Sequence, residues 1–189
     1  MRKLVLSINV TLDGFADHTE MIADDELHDF FSRRLDDTGI ELFGRVTYQM
    51  MGSYWPHAHD DQAASKSILN FADKFNSITK IVFSSTLEKA EWNNTTLVRE
   101  NALEYVARLK ETEGKNLGIG GIRLAQAFMK AGLIDEYWLL VHPVVVGKGR
   151  RLFENANQKL TLRLLETKVF KSGVVVLHYV SVHGKGVTI

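Results

Sequence analysis

Two segments of this 189-residue sequence place glycine between an apolar strand pattern and a helical pattern: residues 44–47 (Gly-Arg-Val-Thr) and 120–123 (Gly-Gly-Ile-Arg). A diphosphate needs backbone N–H donors that no side chain blocks, a helix N-terminus and nearby cations, and both segments supply these. The candidate binding residues are Gly44, Arg45, Thr47, Gly120, Gly121, Ile122 and Arg123. Either segment alone is also typical of a plain turn, so the diphosphate interpretation depends on finding both.

A third polar segment, Ser84 and Ser85, directly follows the strand predicted from Lys80 to Phe83. The carboxyl ends of parallel strands meet at one edge of a sheet, where ligands of α/β proteins bind. We therefore expect these hydroxyls to lie beside the two glycine segments. The alternative is that the serines only cap the strand.

Several other side chains could do chemistry but have a simpler interpretation. Trp55 could form an aromatic wall of a substrate pocket, or it could cover the core. His57 and His59 invite a metal interpretation, but no third ligand is identifiable by spacing, and we predict no metal site. His142 is more typical of a strand end than of a base. A basic cluster, Lys148, Arg150 and Arg151, could bind a substrate phosphate but is more typical of a solvated surface.

The elements that must position these residues alternate between strand and helix through the first two-thirds of the chain. This order predicts a mostly parallel sheet with right-handed crossovers. The strands expected at residues 160–170 and 174–182, separated by Ser172 and Gly173, would add an antiparallel hairpin. The sequence therefore predicts a three-layer α/β/α sandwich formed by a single domain over residues 1–189.

Composition narrows the function classes. The 23 basic and 23 acidic side chains cancel, so the sequence lacks the excess positive charge that draws proteins to nucleic acid or an anionic membrane. The absence of cysteine excludes disulfides, thiolate metal sites and a cysteine nucleophile, and it fits a reducing compartment. No apolar run approaches the roughly 20 residues that span a bilayer. We expect a cytoplasmic protein with no nucleic-acid or membrane partner.

Five motifs are spread over nearly the whole chain: Leu12-Asp13-Gly14-Phe15-Ala16, Leu42-Phe43-Gly44-Arg45-Val46-Thr47-Tyr48, Phe83-Ser84-Ser85, Gly118-Ile119-Gly120-Gly121-Ile122-Arg123-Leu124, and residues 140–149, Leu-Val-His-Pro-Val-Val-Val-Gly-Lys-Gly. In order and spacing they resemble the dihydrofolate reductase superfamily. They are more similar to the branch that contains the reductase domain of bacterial riboflavin biosynthesis, the RibD C-terminal domain.

The resemblance implies an eight-stranded sheet and the cofactor NADPH. It implies that Arg45, Thr47, Gly120 and Gly121 surround the diphosphate. Ser84, Ser85 and Arg123 would then lie near the adenosine 2′-phosphate.

Two carboxylates are candidate catalytic residues by the same resemblance. Asp13 lies in the loop that covers the nicotinamide and substrate in the riboflavin branch, although it could equally be a turn aspartate beside Gly14. Glu26 falls near the position of the acid in folate reductases, where burial could raise its pKa and let it donate a proton. An exposed, acidic first helical turn is the more typical interpretation of Glu26.

The expected function is reduction of a pteridine-like or pyrimidine heterocycle by NADPH, similar to 5-amino-6-(5-phosphoribosylamino)uracil reductase. The tryptophan and proline that precede the acid in folate reductases are absent, which disfavours dihydrofolate as the substrate. Two further functions stay open: reduction of dihydrofolate, and nucleotide binding by a module without turnover. Apolar strand material at residues 137–146 and 174–182 also predicts a homodimer.

Overall fold

The protein forms one eight-stranded sheet, shown here by a computed structural model that describes residues 1–16, 19, 21–154 and 159–182. The strands are β1 (Leu4–Thr11), β2 (Thr38–Gly44), β3 (Thr79–Phe83), β4 (Thr95–Val98), β5 (Asn116–Gly120), β6 (Glu136–His142), β7 (Leu162–Val169) and β8 (Val175–Ser181). Their order across the sheet is β4-β3-β2-β5-β1-β6-β8-β7. The first six are parallel, while β8 pairs antiparallel with β6 and with β7.

Five α-helices and one 3-10 helix connect the strands in the described part of the chain. They are α1 (Asp25–Asp36), α2 (Arg45–Gly52), the 3-10 helix (Trp55–Asp60), α3 (Lys66–Ser77), α4 (Ala102–Lys110) and α5 (Ile122–Lys130). The start of α1 follows from its sequence: Asp24 accepts a hydrogen bond from the Leu27 N–H at 2.8 Å, and two acids in the first turn favour the helix dipole.

Helices cover both faces of the sheet. On one face, Val106 of α4 and Phe128 of α5 pack with alternate residues of β1 such as Leu4 and Leu6. On the other face, Leu27 and Phe30 of α1 pack on β1, β6 and β8. Farther along this face, Phe75 of α3 packs on Phe43 of β2. The three-layer sandwich with a mostly parallel sheet and a terminal antiparallel hairpin is therefore confirmed.

The structure corrects three details of the sequence prediction. The polar and aromatic sequence of residues 54–64 lacks a regular pattern and predicts an irregular surface loop, but the segment contains the 3-10 helix Trp55–Asp60. The strand expected at residues 137–146 ends at His142, before Pro143, whose missing N–H cannot extend the ladder. The apolar segments at residues 137–146 and 174–182, from which the homodimer was predicted, contain β6 and β8. Both strands lie inside the sheet and not at its edge.

The edge on that side of the sheet is β7. It exposes Leu164, Leu165 and Val169, and its ladder with β8 is irregular between Leu164 and Glu166. The homodimer stays a prediction, and β7 replaces β6 and β8 as the surface that would support it.

Candidate functional site

The two glycine segments lie side by side at the carboxyl edge of the sheet. Strands β2 and β5 are neighbours, with Phe43 opposite Gly120 in the parallel register. The segments also touch beyond the strands, because a Cβ atom added to Gly121 would overlap Thr47 Oγ1. The structure therefore brings both segments to one edge, as the sequence predicts, and we call residues 44–47 and 120–123 the glycine corners.

The helices that begin at these corners lack a side-chain cap. The caps of α2 and α5 are Gly44 and Gly121, and neither makes a side-chain hydrogen bond. In contrast, α1, α3 and α4 are capped by the side chains of Asp24, Ser65 and Asn101. The first N–H groups of α2 and α5 therefore remain available to an anion.

Two of the predicted cations flank the corners. Arg45 and Arg123 are both exposed, and Arg45 Nη1 lies 3.2 Å from Gln49 Oε1 on the next turn of α2. Ile122 is partly buried against the main core, so its side chain anchors α5 while its backbone N–H belongs to the first turn. Thr47 is partly buried against Gly121. The corners thus combine uncapped helix ends, a hydroxyl and two exposed positive charges.

The serine pair lies at the end of β3, one strand beyond β2. Ser84 Oγ accepts hydrogen bonds from the backbone N–H groups of Leu87 at 2.9 Å and Thr86 at 3.2 Å, so it organises the following turn. Ser85 is exposed. These contacts support capping by Ser84 and leave the hydroxyl of Ser85 at the surface.

Arg99 is a cation at this edge that the sequence patterns did not reveal. It follows β4, and its guanidinium donates to the Ser85 carbonyl at 3.1 Å and the Leu87 carbonyl at 2.7 Å. The available signal was its position directly after a strand, the same position that Arg45 has after β2. Arg99 therefore fixes the turn that carries the serine pair and adds positive charge beside it.

Asp13 joins the loop after β1 to the loop after β6. Its carboxylate accepts from Thr11 Oγ1 at 2.6 Å and from the Gly147 N–H at 2.8 Å. The Thr11 hydroxyl lowers the pKa of Asp13 most, with further lowering from the backbone N–H groups of Gly147 and Val146 and partial opposition from desolvation. Asp13 is therefore ionised at neutral pH, which suits it to holding the two loops together. A direct catalytic role stays a prediction.

Glu26 contacts the C-terminal hairpin. Its Oε2 accepts from the Lys171 N–H at 2.9 Å, and its Oε1 lies 3.7 Å from Lys168 Nζ. Lys171 is 145 residues from Glu26 in the chain, so sequence spacing could not reveal this contact. The contacts explain Glu26 structurally, and its role as a proton donor stays a prediction.

Trp55 begins the 3-10 helix and packs against other aromatic rings. Its ring centroid lies 4.6 Å from that of Phe71, 5.1 Å from Tyr54 and 6.1 Å from His28. Both interpretations of Trp55 fit this placement, because the ring is only partly buried. Substrate contact by Trp55 stays a prediction.

The two histidines of the 3-10 helix have different partners. His57 Nδ1 lies 3.8 Å from Asp60, whereas His59 Nε2 lies 2.7 Å from Asp73 of α3. Within the described ranges, no three His, Asp or Glu side chains are grouped as metal ligands would be. In the basic cluster of Lys148, Arg150 and Arg151, the Arg151 guanidinium packs on an aromatic ring and lies 4.6 Å from the centroid of Phe15.

Two ionisable side chains, Glu41 and Lys80, on the sheet face that α1 and α3 cover also gave no signal in the sequence. Lys80, fully buried, donates to the carbonyls of Asn76, Ile78 and Asn93 at 3.1, 2.8 and 3.3 Å. Beside it in the ladder, the Glu41 side chain lies directly over Gly118 of β5. Burial raises the pKa of Glu41 to about 8, against the attraction of Lys80. Burial also lowers the pKa of Lys80 to about 8, against the attraction of Glu41.

An open depression of about 670 Å³ lies outside the glycine corners. It is lined by α2, the 3-10 helix, Asn76 and the segment 87–93, and by none of the site residues predicted from sequence. Among the helices of the described residues, none is long and apolar enough to span a bilayer.

The fold and the glycine corners at the carboxyl edge of the sheet together define the class of protein. Residues 2–176 match the model of the RibD C-terminal domain, and the chain belongs to that family. A curated relative, the uncharacterized protein YyaP of Bacillus subtilis (strain 168), is 34% identical over 184 residues, covering 94% of each chain.

Two solved structures share the fold. A Shewanella sp. PV-4 protein described as a riboflavin biosynthesis protein superposes with a TM-score of 0.71 at 21% identity, covering 96% of this chain and 99% of its own. Dihydrofolate reductase from Enterococcus faecalis, complexed with NADP(H) and a second ligand, superposes with a TM-score of 0.62 at 15% identity over 95% and 96%. The fold is therefore dihydrofolate reductase-like.

Proposed function

We propose that this protein is an NADPH-dependent reductase of a pteridine-like or pyrimidine heterocycle, closest to 5-amino-6-(5-phosphoribosylamino)uracil reductase. The observation that carries the proposal is the pair of adjoining glycine corners with two uncapped helix N-termini. Membership of the RibD C-terminal domain family supports it.

The corners fit a diphosphate for steric and electrostatic reasons. Gly121 has a φ of +100°, which side chains rarely adopt, so its backbone N–H can face a ligand without a Cβ in the way. The N-termini of α2 and α5 both direct partial positive charge toward the same edge. In this proposal Thr47 donates its hydroxyl, and Arg45 and Arg123 balance the phosphate charge.

The charge at this edge favours NADPH over NADH. In this proposal Arg123 and Arg99 contribute positive charge to the side of the site near the serine pair, where the resemblance places the 2′-phosphate, whereas Arg45 serves the diphosphate. Without that dianion, the arginines would face solvent with no anionic ligand. We therefore expect the protein to bind NADPH more tightly than NADH.

We expect Arg45→Ala and Arg123→Ala each to weaken NADPH binding by roughly 10- to 100-fold, because each removes a charge-assisted contact to phosphate. NADH affinity should fall much less in Arg123→Ala, which lies near the 2′-phosphate that NADH lacks, and by a similar factor in Arg45→Ala, which serves the diphosphate that both coenzymes share. The measurement is titration of protein fluorescence with each coenzyme. Arg33→Ala, an exposed arginine near the end of α1, is the matched control and should bind both as the parent protein does. Equal losses of NADPH and NADH affinity in Arg123→Ala would contradict the assignment.

The bound coenzyme would supply a hydride to an electron-poor C=N or C=C bond, while the protein supplies alignment and exclusion of water. A proton must complete the reduction. Asp13, ionised by its hydrogen bonds, has none to give at neutral pH, so its proposed contribution is to keep the loops after β1 and β6 closed over the site.

Two experiments separate this function from the competing ones. Loss of NADPH absorbance should occur on addition of 5-amino-6-(5-phosphoribosylamino)uracil and not on addition of dihydrofolate. Oxidation with dihydrofolate alone would instead support a folate reductase. Saturable NADPH binding without oxidation by either compound would support a nucleotide-binding module. The cytoplasmic location and the homodimer stay predictions.

A further inference from the structure

A buried histidine fixes the orientation of an asparagine at the carboxyl end of the central strand β1. His142, fully buried at the end of β6, accepts a hydrogen bond at Nδ1 from the Ile22 N–H at 3.1 Å. A neutral imidazole that accepts at one nitrogen carries its proton on the other. Nε2 of His142 therefore donates to Asn9 Oδ1, 3.0 Å away.

The ring stays neutral because burial lowers the pKa of His142, with weaker opposition from Asp24, and the Ile22 N–H then selects the tautomer. A protonated ring could not accept from Ile22. The assignment of the Asn9 oxygen and nitrogen thus follows from a backbone donor whose identity is not in question.

The Asn9 carboxamide is left with two unused N–H donors. Its oxygen is engaged by His142, and no residue in the described ranges accepts a hydrogen bond from its Nδ2. Asn9 is only partly buried, so the amide is not sealed in the core. A polar group this constrained, yet unpaired, is available to a ligand.

The fold brings this amide next to the glycine corners. Strand β1 lies between β5 and β6, and Leu6 is level with Ile119. Asn9, three residues further on, is therefore level with the start of α5, just past Gly120. By alternation Asn9 shares the face of Val5, which α1 covers. The amide accordingly lies on the α1 face of the sheet, beside the proposed coenzyme site.

We propose that Asn9 is a specificity-determining residue that recognises a ring carbonyl of the substrate, and that His142 is its positioning residue. This inference rests on the proposed function and deepens it. Two N–H donors pair with a carbonyl oxygen and face the N–H groups of an amino substituent unfavourably. The site therefore selects oxo-heterocycles over their amino analogues.

The test compares two probes, 2,4-dioxopteridine and 2,4-diaminopteridine, by equilibrium titration of the protein saturated with NADPH. The parent protein should bind the dioxo probe at least about 10-fold more tightly. Asn9→Asp should reverse the order, because a carboxylate can still accept from His142 with one oxygen and accept amino N–H groups with the other. An unchanged order of preference in Asn9→Asp would overturn the proposal.

Further variants control for folding. Asn70→Asp, at an asparagine of α3 that donates to Ser32 Oγ, should keep the parent preference. Asn9→Ala and His142→Gln should both lose discrimination without reversing it, and a parent-like preference in Asn9→Ala would overturn the proposal even if Asn9→Asp does not fold. Prior titration with NADPH separates the two claims: no affinity for NADPH refutes the proposed function, whereas normal NADPH affinity with an unaltered preference refutes only the role of Asn9.

Discussion

Gly121→Ala should lower the affinity for NADPH by roughly 100-fold or more, the largest effect of any single substitution at the glycine corners. The added Cβ would overlap Thr47 Oγ1, and either α5 or Thr47 must move. In addition, φ of +100° strains an alanine by about 1–3 kcal/mol. Any relief of that strain turns the first N–H groups of α5 away from their present direction. Fluorescence titration measures the affinity, and thermal unfolding measures the strain.

Gly132→Ala is the matched control for this substitution. Gly132 follows α5 with a φ of +66°, and nothing lies within 4 Å of a Cβ built there. Its alanine variant should lose about 1 kcal/mol of unfolding free energy and keep its affinity for NADPH. If Gly121→Ala binds NADPH as tightly as Gly132→Ala does, residues 120–123 do not hold the diphosphate.

Glu41→Gln should remove most of a pH dependence of stability that the parent protein shows between about pH 5 and pH 8. The carboxyl has a pKa of about 8 in the folded protein and an ordinary value of 4.5 when unfolded. The folded state therefore binds the proton more tightly. Stability from this group is fully present below pH 4.5 and is lost as pH rises through 8.

A shift of this size corresponds to at most about 5 kcal/mol at 1.36 kcal/mol per pH unit. Because Glu41 keeps some contact with solvent, we expect a loss of about 2 kcal/mol between pH 5 and pH 8. Lys80 uses all three ammonium protons on carbonyls and stays charged over most of this range, so it does not cancel the trend.

Urea unfolding at several pH values gives the free energies for this comparison. Glu166→Gln, at an exposed carboxylate of β7, is the control and should retain the parent profile. A parent protein whose stability is flat between pH 5 and pH 8 would show that Glu41 is not held as a neutral acid.

The local sequence pattern was sufficient to predict much of the fold and the glycine corners of the candidate site. Gly44 and Gly121 each separate a strand pattern from a helix pattern, and the parallel topology brings their two strand ends to one edge. The sequence alone could not show that β2 and β5 are adjacent. Between the last residue of β2, Gly44, and the first residue of β5, Asn116, lie 71 residues that include β3, β4 and α4. That adjacency is a property of the whole sheet.

The roles of the acidic residues were harder to predict from the sequence because their partners are distant along the chain. Asp13 is bound by Gly147, and Glu26 by Lys171, through contacts that close only when the loops after β6 and β7 are in place. Glu41 and Lys80 have the appearance of ordinary polar positions in alternating strands. Only their pairing on one buried face, over the small surface of Gly118, distinguishes them. Asn9 carries no signal in the sequence, because only its contact with a distant histidine shows how its amide is oriented.

The central position of β1 has a consequence for biosynthesis. In the described sheet, β1 pairs only with β5 and β6, whose residues lie between Asn116 and His142. Until that part of the chain has emerged, Leu4, Leu6 and Val10 have no sheet to enter. During synthesis β1 therefore stays unpaired until β5 and β6 have been made, and an unpaired strand of this kind is exposed to aggregation in the meantime.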